Sequence, residues 1–224
     1  MKGSYTMSSP LYAKEYVKNL RQVRDLAPEQ TRAFLKYSSS VLKDGALSKK
    51  EKEIIAVAIT HVTECPYCID THTKSAKKAG ASLEELVEAI YVVAAVEAGG
   101  AVTHSTHASN ALNSEADDEL YKRSNLKQLS QLGKFAPDGY KGYSHFSATA
   151  MKAGKLSVKM KELIAVAVAH VSQCPYCIDV HTKKAVEAGA SNEELAEAIM
   201  VTSLLLAGGA YAHIANMIES YQTE

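Results

Sequence analysis

The four cysteines of the chain fall in two identical spellings, Cys65-Pro66-Tyr67-Cys68 and Cys174-Pro175-Tyr176-Cys177. Two intervening residues let the paired sulfurs meet in a disulfide, and the thiolate of such a pair is a nucleophile. His72 follows Cys68 by four residues, and His181 follows Cys177 by the same step. On a helix these positions share a face, so each imidazole can accept the neighbouring thiol proton or stabilise its anion. Glu53 lies twelve residues before Cys65, and Glu162 twelve before Cys174. A carboxylate so placed can orient the imidazole as the third member of a triad does. The chemistry offered is thiol redox with proton transfer, written twice.

Those residues must be held by something, and the chain repeats its scaffold as well as its cysteines. An offset of 109 residues holds without a gap: Ala27-Pro28 falls on Ala136-Pro137, Gly45 on Gly154, Gly99-Gly100 on Gly208-Gly209. Residues 61–90 and 170–199 share 22 of 30 positions. The chain therefore reads as a tandem duplication, residues 13–112 and 122–221, with the polar Asn113–Tyr121 as junction. Each unit reads as helical. Ser48 with Glu51 forms a capping box ahead of an alanine-rich apolar run; its counterpart Ser157 has Met160 in place of the acid, a weaker cap. Pro66 and Pro175 suit a first helical turn, which puts Cys65 and Cys174 at helix starts, where free N–H groups and the dipole favour a thiolate. Gly80 and Gly189 mark the ends of those helices, and Ser82 with Glu85, and Ser191 with Glu194, open a third, long helix in each unit. The expected fold class is all-α, two helical repeats each with its dithiol at a helix N-terminus.

Composition narrows the partners. The 224 residues are 46% hydrophobic and 22% charged, with 25 lysines plus arginines against 25 aspartates plus glutamates. A balanced charge without basic blocks disfavours nucleic acid and anionic membrane surfaces. The apolar stretch Ala198–Ile218 approaches membrane-spanning length, but Thr202, Ser203, His213 and Asn216 interrupt it, and its copy carries Glu97, His104 and His107. The N-terminal residues lack the apolar core of a signal peptide, so the expected location is the cytoplasm, where paired thiols serve catalysis or metal binding more than structure. No dinucleotide or phosphate-binding motif is present, so no organic cofactor is expected. Cys-Pro-Tyr-Cys is also a glutaredoxin spelling, but no βαβ rhythm supplies the sheet which that dithiol needs.

The pattern Glu-x11-Cys-x-x-Cys-x3-His, present twice in register, resembles the signature of the alkylhydroperoxidase D-like branch of the carboxymuconolactone decarboxylase family. The resemblance implies an all-α fold and thiol-dependent reduction of hydroperoxides. It implies that Cys68 and Cys177 attack the peroxide and become sulfenic acids, and that Cys65 and Cys174 resolve them as disulfides. Glu53 with His72, and Glu162 with His181, would form the proton relay. Electrons would come from an external dithiol, a dihydrolipoyl group or a thioredoxin-like protein. Single-repeat members commonly form hexamers built from dimers, so two fused units imply a homotrimer. One departure stands out: the peroxidase that gives the branch its name carries histidine between the cysteines, in the form Cys-x-His-Cys, where this chain has Tyr67 and Tyr176. A phenol, with an ordinary pKa near 10, is a poor proton acceptor at neutral pH.

Other readings of the same residues remain open at this level. His61-x3-Cys65-x2-Cys68-x3-His72, repeated from His170, has ligand types and spacing suited to structural zinc, which would make the protein a zinc-stabilised binding module. A general disulfide oxidoreductase without peroxidase activity is a further alternative. His61 and His170 otherwise end their helices, His104 and His213 pack near an interface, and Tyr67 and Tyr176 either pack or move protons.

Overall fold

Serine caps, proline starts and glycine stops divide the chain into helices. A computed structural model describes residues 12–116 and 119–223, and all regular structure among them is helical. A 3₁₀ turn, Lys14–Asn19, leads into α1 (Leu20–Leu26), α2 (Pro28–Val41), α3 (Lys49–Val62), α4 (Pro66–Lys78) and α5 (Leu83–Ala111). The second copy repeats the order: a 3₁₀ turn at Arg123–Gln128, then α6 (Leu129–Phe135), α7 (Pro137–Ala150), α8 (Val158–Val171), α9 (Pro175–Glu187) and α10 (Asn192–Gln222). Capping boxes form at Ser48–Glu51, Ser82–Glu85 and Ser191–Glu194, while Ser157 accepts only from the Met160 N–H. Gly80 and Gly189 adopt φ of +92° and +88°, the left-handed conformation that ends α4 and α9.

Each unit thus has two helices beyond the three read from sequence. The reason is their thin apolar signal: α2 buries only Thr31 and α7 only Ala150 among their residues. Both begin at a proline after an alanine that is neither helical nor extended, Ala27 at ψ 68° and Ala136 at ψ 62°, with no side-chain cap.

The middle helices are the opposite case. Ile54 to Thr60 of α3 and Met160 to Ala169 of α8 are buried without interruption, so both helices lie inside one core that mixes the two repeats. The long helices then cross over. Helix α5 packs on α8, α7 and α9 of the second repeat besides its own α3, and α10 packs on α3, α2 and α4 of the first besides its own α8.

Two reciprocal anchors fasten the crossing. Glu197 of α10 accepts from the Leu47 N–H at 2.7 Å and pairs with the buried Lys52 ammonium at 3.1 Å. Glu88 of α5 accepts from the Lys155 and Leu156 N–H groups at 2.8 and 3.1 Å and pairs with the buried Lys161 at 3.0 Å. Each lysine also donates to backbone carbonyls, Lys52 to Lys43 and Lys161 to Ala150 and Lys152, so its charge is held on several sides. By length and composition α5 and α10 could cross a membrane, but here they serve as the helices that join the repeats.

The glycine pairs differ between copies. A Cβ at Gly99 would meet the Tyr143 hydroxyl at 2.8 Å, whereas Gly100, Gly208 and Gly209 have nothing within 4 Å. Of these four glycines only Gly99 is thus closely covered within the chain, by the tip of the Tyr143 side chain.

Candidate functional site

Between α3 and α4 the chain reverses through Glu64, and between α8 and α9 through Gln173, each at φ +53°. Neither is glycine, so both turns hold a sparsely populated conformation directly before a cysteine. The reversal sets Cys65 and Cys174 at the N-cap. The Cys68 N–H donates to the Cys65 sulfur at 3.3 Å, and the Cys177 N–H to the Cys174 sulfur at 3.2 Å. Cys65 and Cys68 are joined as a disulfide, and Cys174 and Cys177 are free thiols.

The paired acids and histidines come together as their spacing suggested. The His72 Nδ1 lies 2.8 Å from Glu53 Oε2, and the His181 Nδ1 lies 2.7 Å from Glu162 Oε2. Both carboxylates are buried and both imidazoles are partly exposed. With Nδ1–H donated to a carboxylate, Nε2 is left as the acceptor.

Each dithiol adjoins a cavity that neither repeat builds alone. The first, of about 320 Å³, is lined by Cys68, His72 and Glu53 together with Leu204, Gly208 and Tyr211 of α10. The second, of about 120 Å³, is lined by Cys177 and His181 together with Gly99 and Thr103 of α5 and Tyr143 of α7. In both, the second cysteine of the pair faces the cavity. The first cysteine lies behind it, Cys65 and Cys174 each being 1% exposed.

Charge in the second site is shared unequally. Cys174 is lowered to about 5, first by the hydrogen bond from Cys177 and then, against the cost of burial, by Thr103, the Cys177 N–H and the nearby His104. Cys177 is pushed up because it supplies that hydrogen bond and is buried. One proton is therefore held on Cys177 while Cys174 carries the negative charge. The Thr103 hydroxyl lies 3.6 and 3.8 Å from the two sulfurs. Burial also raises the carboxyl of Glu97 on α5, despite a hydrogen bond from Ser172.

The tyrosines between the cysteines are tethers. Tyr67 donates to the Ala13 carbonyl at 3.3 Å and accepts from Asn216 at the same distance. Tyr176 donates to the Leu120 carbonyl at 3.1 Å and accepts from Asn125 at 3.3 Å. Burial raises the Tyr67 phenol further from any role as a base at neutral pH. The other histidines take different places. His61 and His170 bond their own helices, Nδ1 to the carbonyls of Val57 and Val166, and His61 lines a separate groove with Leu83 and Tyr91. Among the described residues no three His, Cys, Asp or Glu side chains converge as a metal site, so the proposed zinc set is not assembled. His104 and His213 each face the motif tyrosine of the opposite repeat, at 6.4 Å from Tyr176 and 6.1 Å from Tyr67.

The sequence did not single out Thr103, Tyr143, Phe34 or Tyr211. They are not repeated: at an offset of 109 Thr103 falls on Ala212, Tyr143 on Phe34 and Tyr211 on Val102. Residues that differ between copies leave no trace in such a comparison.

The carboxymuconolactone decarboxylase family profile matches the chain twice, over residues 28–111 and 137–219. An uncharacterised protein of the cox locus of Paracoccus denitrificans is 51% identical over 73 residues, 33% of this chain and 66% of that protein, just under two thirds of its length. Uncharacterised proteins of Cupriavidus necator and Haemophilus influenzae are 32% and 38% identical, over 42% and 44% of this chain and 83% and 87% of their own. A crystal structure described as a gamma-carboxymuconolactone decarboxylase subunit of Burkholderia xenovorans superposes with a TM-score of 0.66, covering 95% of this chain and 98% of that one at 21% identity, a likeness of fold. With both matches lying over the two helical units and their dithiols, the chain belongs to the carboxymuconolactone decarboxylase family.

Proposed function

We propose that the protein is a thiol-dependent peroxidase of the alkylhydroperoxidase D-like branch, reducing organic hydroperoxides or hydrogen peroxide through its dithiols. The observation that carries this reading is a cavity-lining cysteine accompanied by an imidazole held on a buried carboxylate, built twice.

In the second repeat Cys177 passes its hydrogen-bonded proton to the Cys174 thiolate, which later releases it to solvent, while His181, oriented by Glu162, takes up a proton. The Cys177 thiolate attacks the outer peroxide oxygen, the O–O bond breaks, and the alcohol leaves with the proton from the imidazole. The Cys174 thiolate then displaces hydroxide from the Cys177 sulfenic acid, and hydroxide takes a proton from solvent to become water. A dithiol and a hydroperoxide have become a disulfide, an alcohol and water. An external dithiol, dihydrolipoyl or thioredoxin-like, reduces the disulfide by exchange. The first repeat runs the same cycle with Cys68, His72, Glu53 and Cys65.

Peroxide consumption by reduced, metal-analysed protein with dihydrolipoamide tests the reading. Turnover is expected, and Glu53→Gln with Glu162→Gln should lower it by about a hundredfold, the scale of general acid–base assistance. Disulfide exchange without peroxide consumption would make the protein a general disulfide oxidoreductase instead. We also propose a homotrimer, supported by the exposed apolar groove of about 430 Å³ where Leu83, Val87 and Tyr91 meet Val57. Light scattering showing a monomer at micromolar concentration would refute it.

A further inference from the structure

The two dithiols have nearly the same neighbours in sequence, but their cavities do not match. The first encloses about 320 Å³ and the second about 120 Å³. Since a water molecule's share of liquid volume is about 30 Å³, the second has room for a few water-sized groups, and the first reaches the size of small-molecule sites.

Three exchanges at equivalent positions separate the cavities. Gly99 is covered by the Tyr143 hydroxyl, whereas the position above Gly208 is open to 4 Å. Phe34, which stands where Tyr143 does, stacks instead on Tyr211, ring centroids 4.5 Å apart at 24°, and forms an apolar wall. Thr103 sets a hydroxyl beside both sulfurs of the second site, where the first has Ala212, which lines its cavity with no polar side-chain atom. Lys184 completes the polar rim of the second, and Ser75 takes its place in the first.

We propose that the repeats divide hydroperoxides between them, the Cys65–Cys68 site taking those with an apolar tail and the Cys174–Cys177 site taking hydrogen peroxide. This assignment rests on the peroxidase reading above. Each methylene buried against the Phe34–Tyr211 wall favours binding about fourfold, so a tail of a few carbons is enough to separate the sites. In the second cavity the same tail meets Tyr143 and the Thr103 hydroxyl. Either substrate gives the same products, a disulfide, water and the alcohol, or a second water from hydrogen peroxide.

Two proteins with one dithiol each test the division: Cys174→Ser/Cys177→Ser keeps the first site, and Cys65→Ser/Cys68→Ser keeps the second. Each is reduced, freed of reductant, and mixed with hydrogen peroxide or cumene hydroperoxide, and disulfide formation is followed by mass. The ratio of cumene hydroperoxide to hydrogen peroxide rates should be at least tenfold higher for the first site, and Gly208→Leu should bring it down toward that of the second. Ratios equal within twofold would overturn the proposal. Oxidation of neither dithiol by either peroxide would overturn the peroxidase reading and this assignment with it. Methyl and benzyl methanethiosulfonate then identify the cause. Benzyl labelling confined to Cys68 would show that the cavities still sort by size and that the chemistry was misassigned; equal labelling of Cys68 and Cys177 would show that the sieve itself is absent.

Discussion

Within the second dithiol the two sulfurs hold different charges because they occupy different places on one helix turn. Cys174 accepts first from the Cys177 thiol and then, as the cap of α9, from the Cys177 N–H, so its thiol sits at about 5 instead of the ordinary 9.0. The thiolate absorbance of Cys65→Ser/Cys68→Ser protein should therefore titrate near pH 5, and adding Cys174→Ser should abolish that step. Thr103→Ala should move the midpoint upward by up to about one unit; the contacts of 3.6 and 3.8 Å are longer than those worth the full 1.5–3 kcal/mol or so of a charged hydrogen bond. A thiol depressed in the fold contributes stability that is present above its ordinary pKa and lost as pH falls through about 5. An unshifted midpoint in Thr103→Ala would mean that the hydroxyl does not act on the thiolate. At this scale the sequence was informative where helical spacing sets a shared face, as for Cys68 and His72, which line one cavity, and for the Glu–His pairs that the repeated twelve-residue step singled out. It was silent on Thr103, which reaches Cys174 across 71 positions of chain.

Caps and tethers decide how firmly each helix holds its part of the site. Ser48 and Glu51 cap reciprocally, whereas Ser157 works alone. Ser48→Ala should then cost about 1–2 kcal/mol and Ser157→Ala about 0.5–1 kcal/mol in urea unfolding, and equal losses would contradict the difference in capping. The motif tyrosines act on the segments ahead of each repeat. Tyr67→Phe should speed amide exchange around the Lys14–Asn19 turn, and Tyr176→Phe around Arg123–Gln128, each costing on the order of 1 kcal/mol. Exchange that is unaltered in both would return the tyrosines to a packing role. Helices α3, α4 and α5 were legible because serine, proline and glycine mark their ends and apolar runs fill them. Helices α1 and α2 were not, since α1 is only seven residues long and α2, though amphipathic, carries few strongly apolar residues and buries only Thr31.

At the scale of the whole molecule the repeats are joined through Glu88–Lys161 and Glu197–Lys52. Burial works against ionisation of both glutamates but is outweighed by backbone N–H groups and the facing lysines, so both carboxyls fall below the ordinary 4.5. Carboxyls lowered in the fold stabilise it above their unfolded pKa, and that stability is lost as pH falls below about 4.5. Glu88→Gln with Glu197→Gln should flatten this acid dependence, and Glu197→Gln alone should cost about 3 kcal/mol at neutral pH by leaving Lys52 without its counter-charge. An acid-unfolding curve that keeps its slope in the double variant would place the dependence elsewhere. The duplication was plain from the constant offset, but an offset tells which residues correspond and not which touch. The crossing of α5 and α10 followed only from the packed chain. It carries a consequence for inheritance. A change at Gly99 or Thr103 is written in the first half of the gene and acts on the sulfurs encoded by the second. Deleting either copy would strip a wall from the surviving site, so a duplication whose long helices have crossed can no longer be reversed by losing a half.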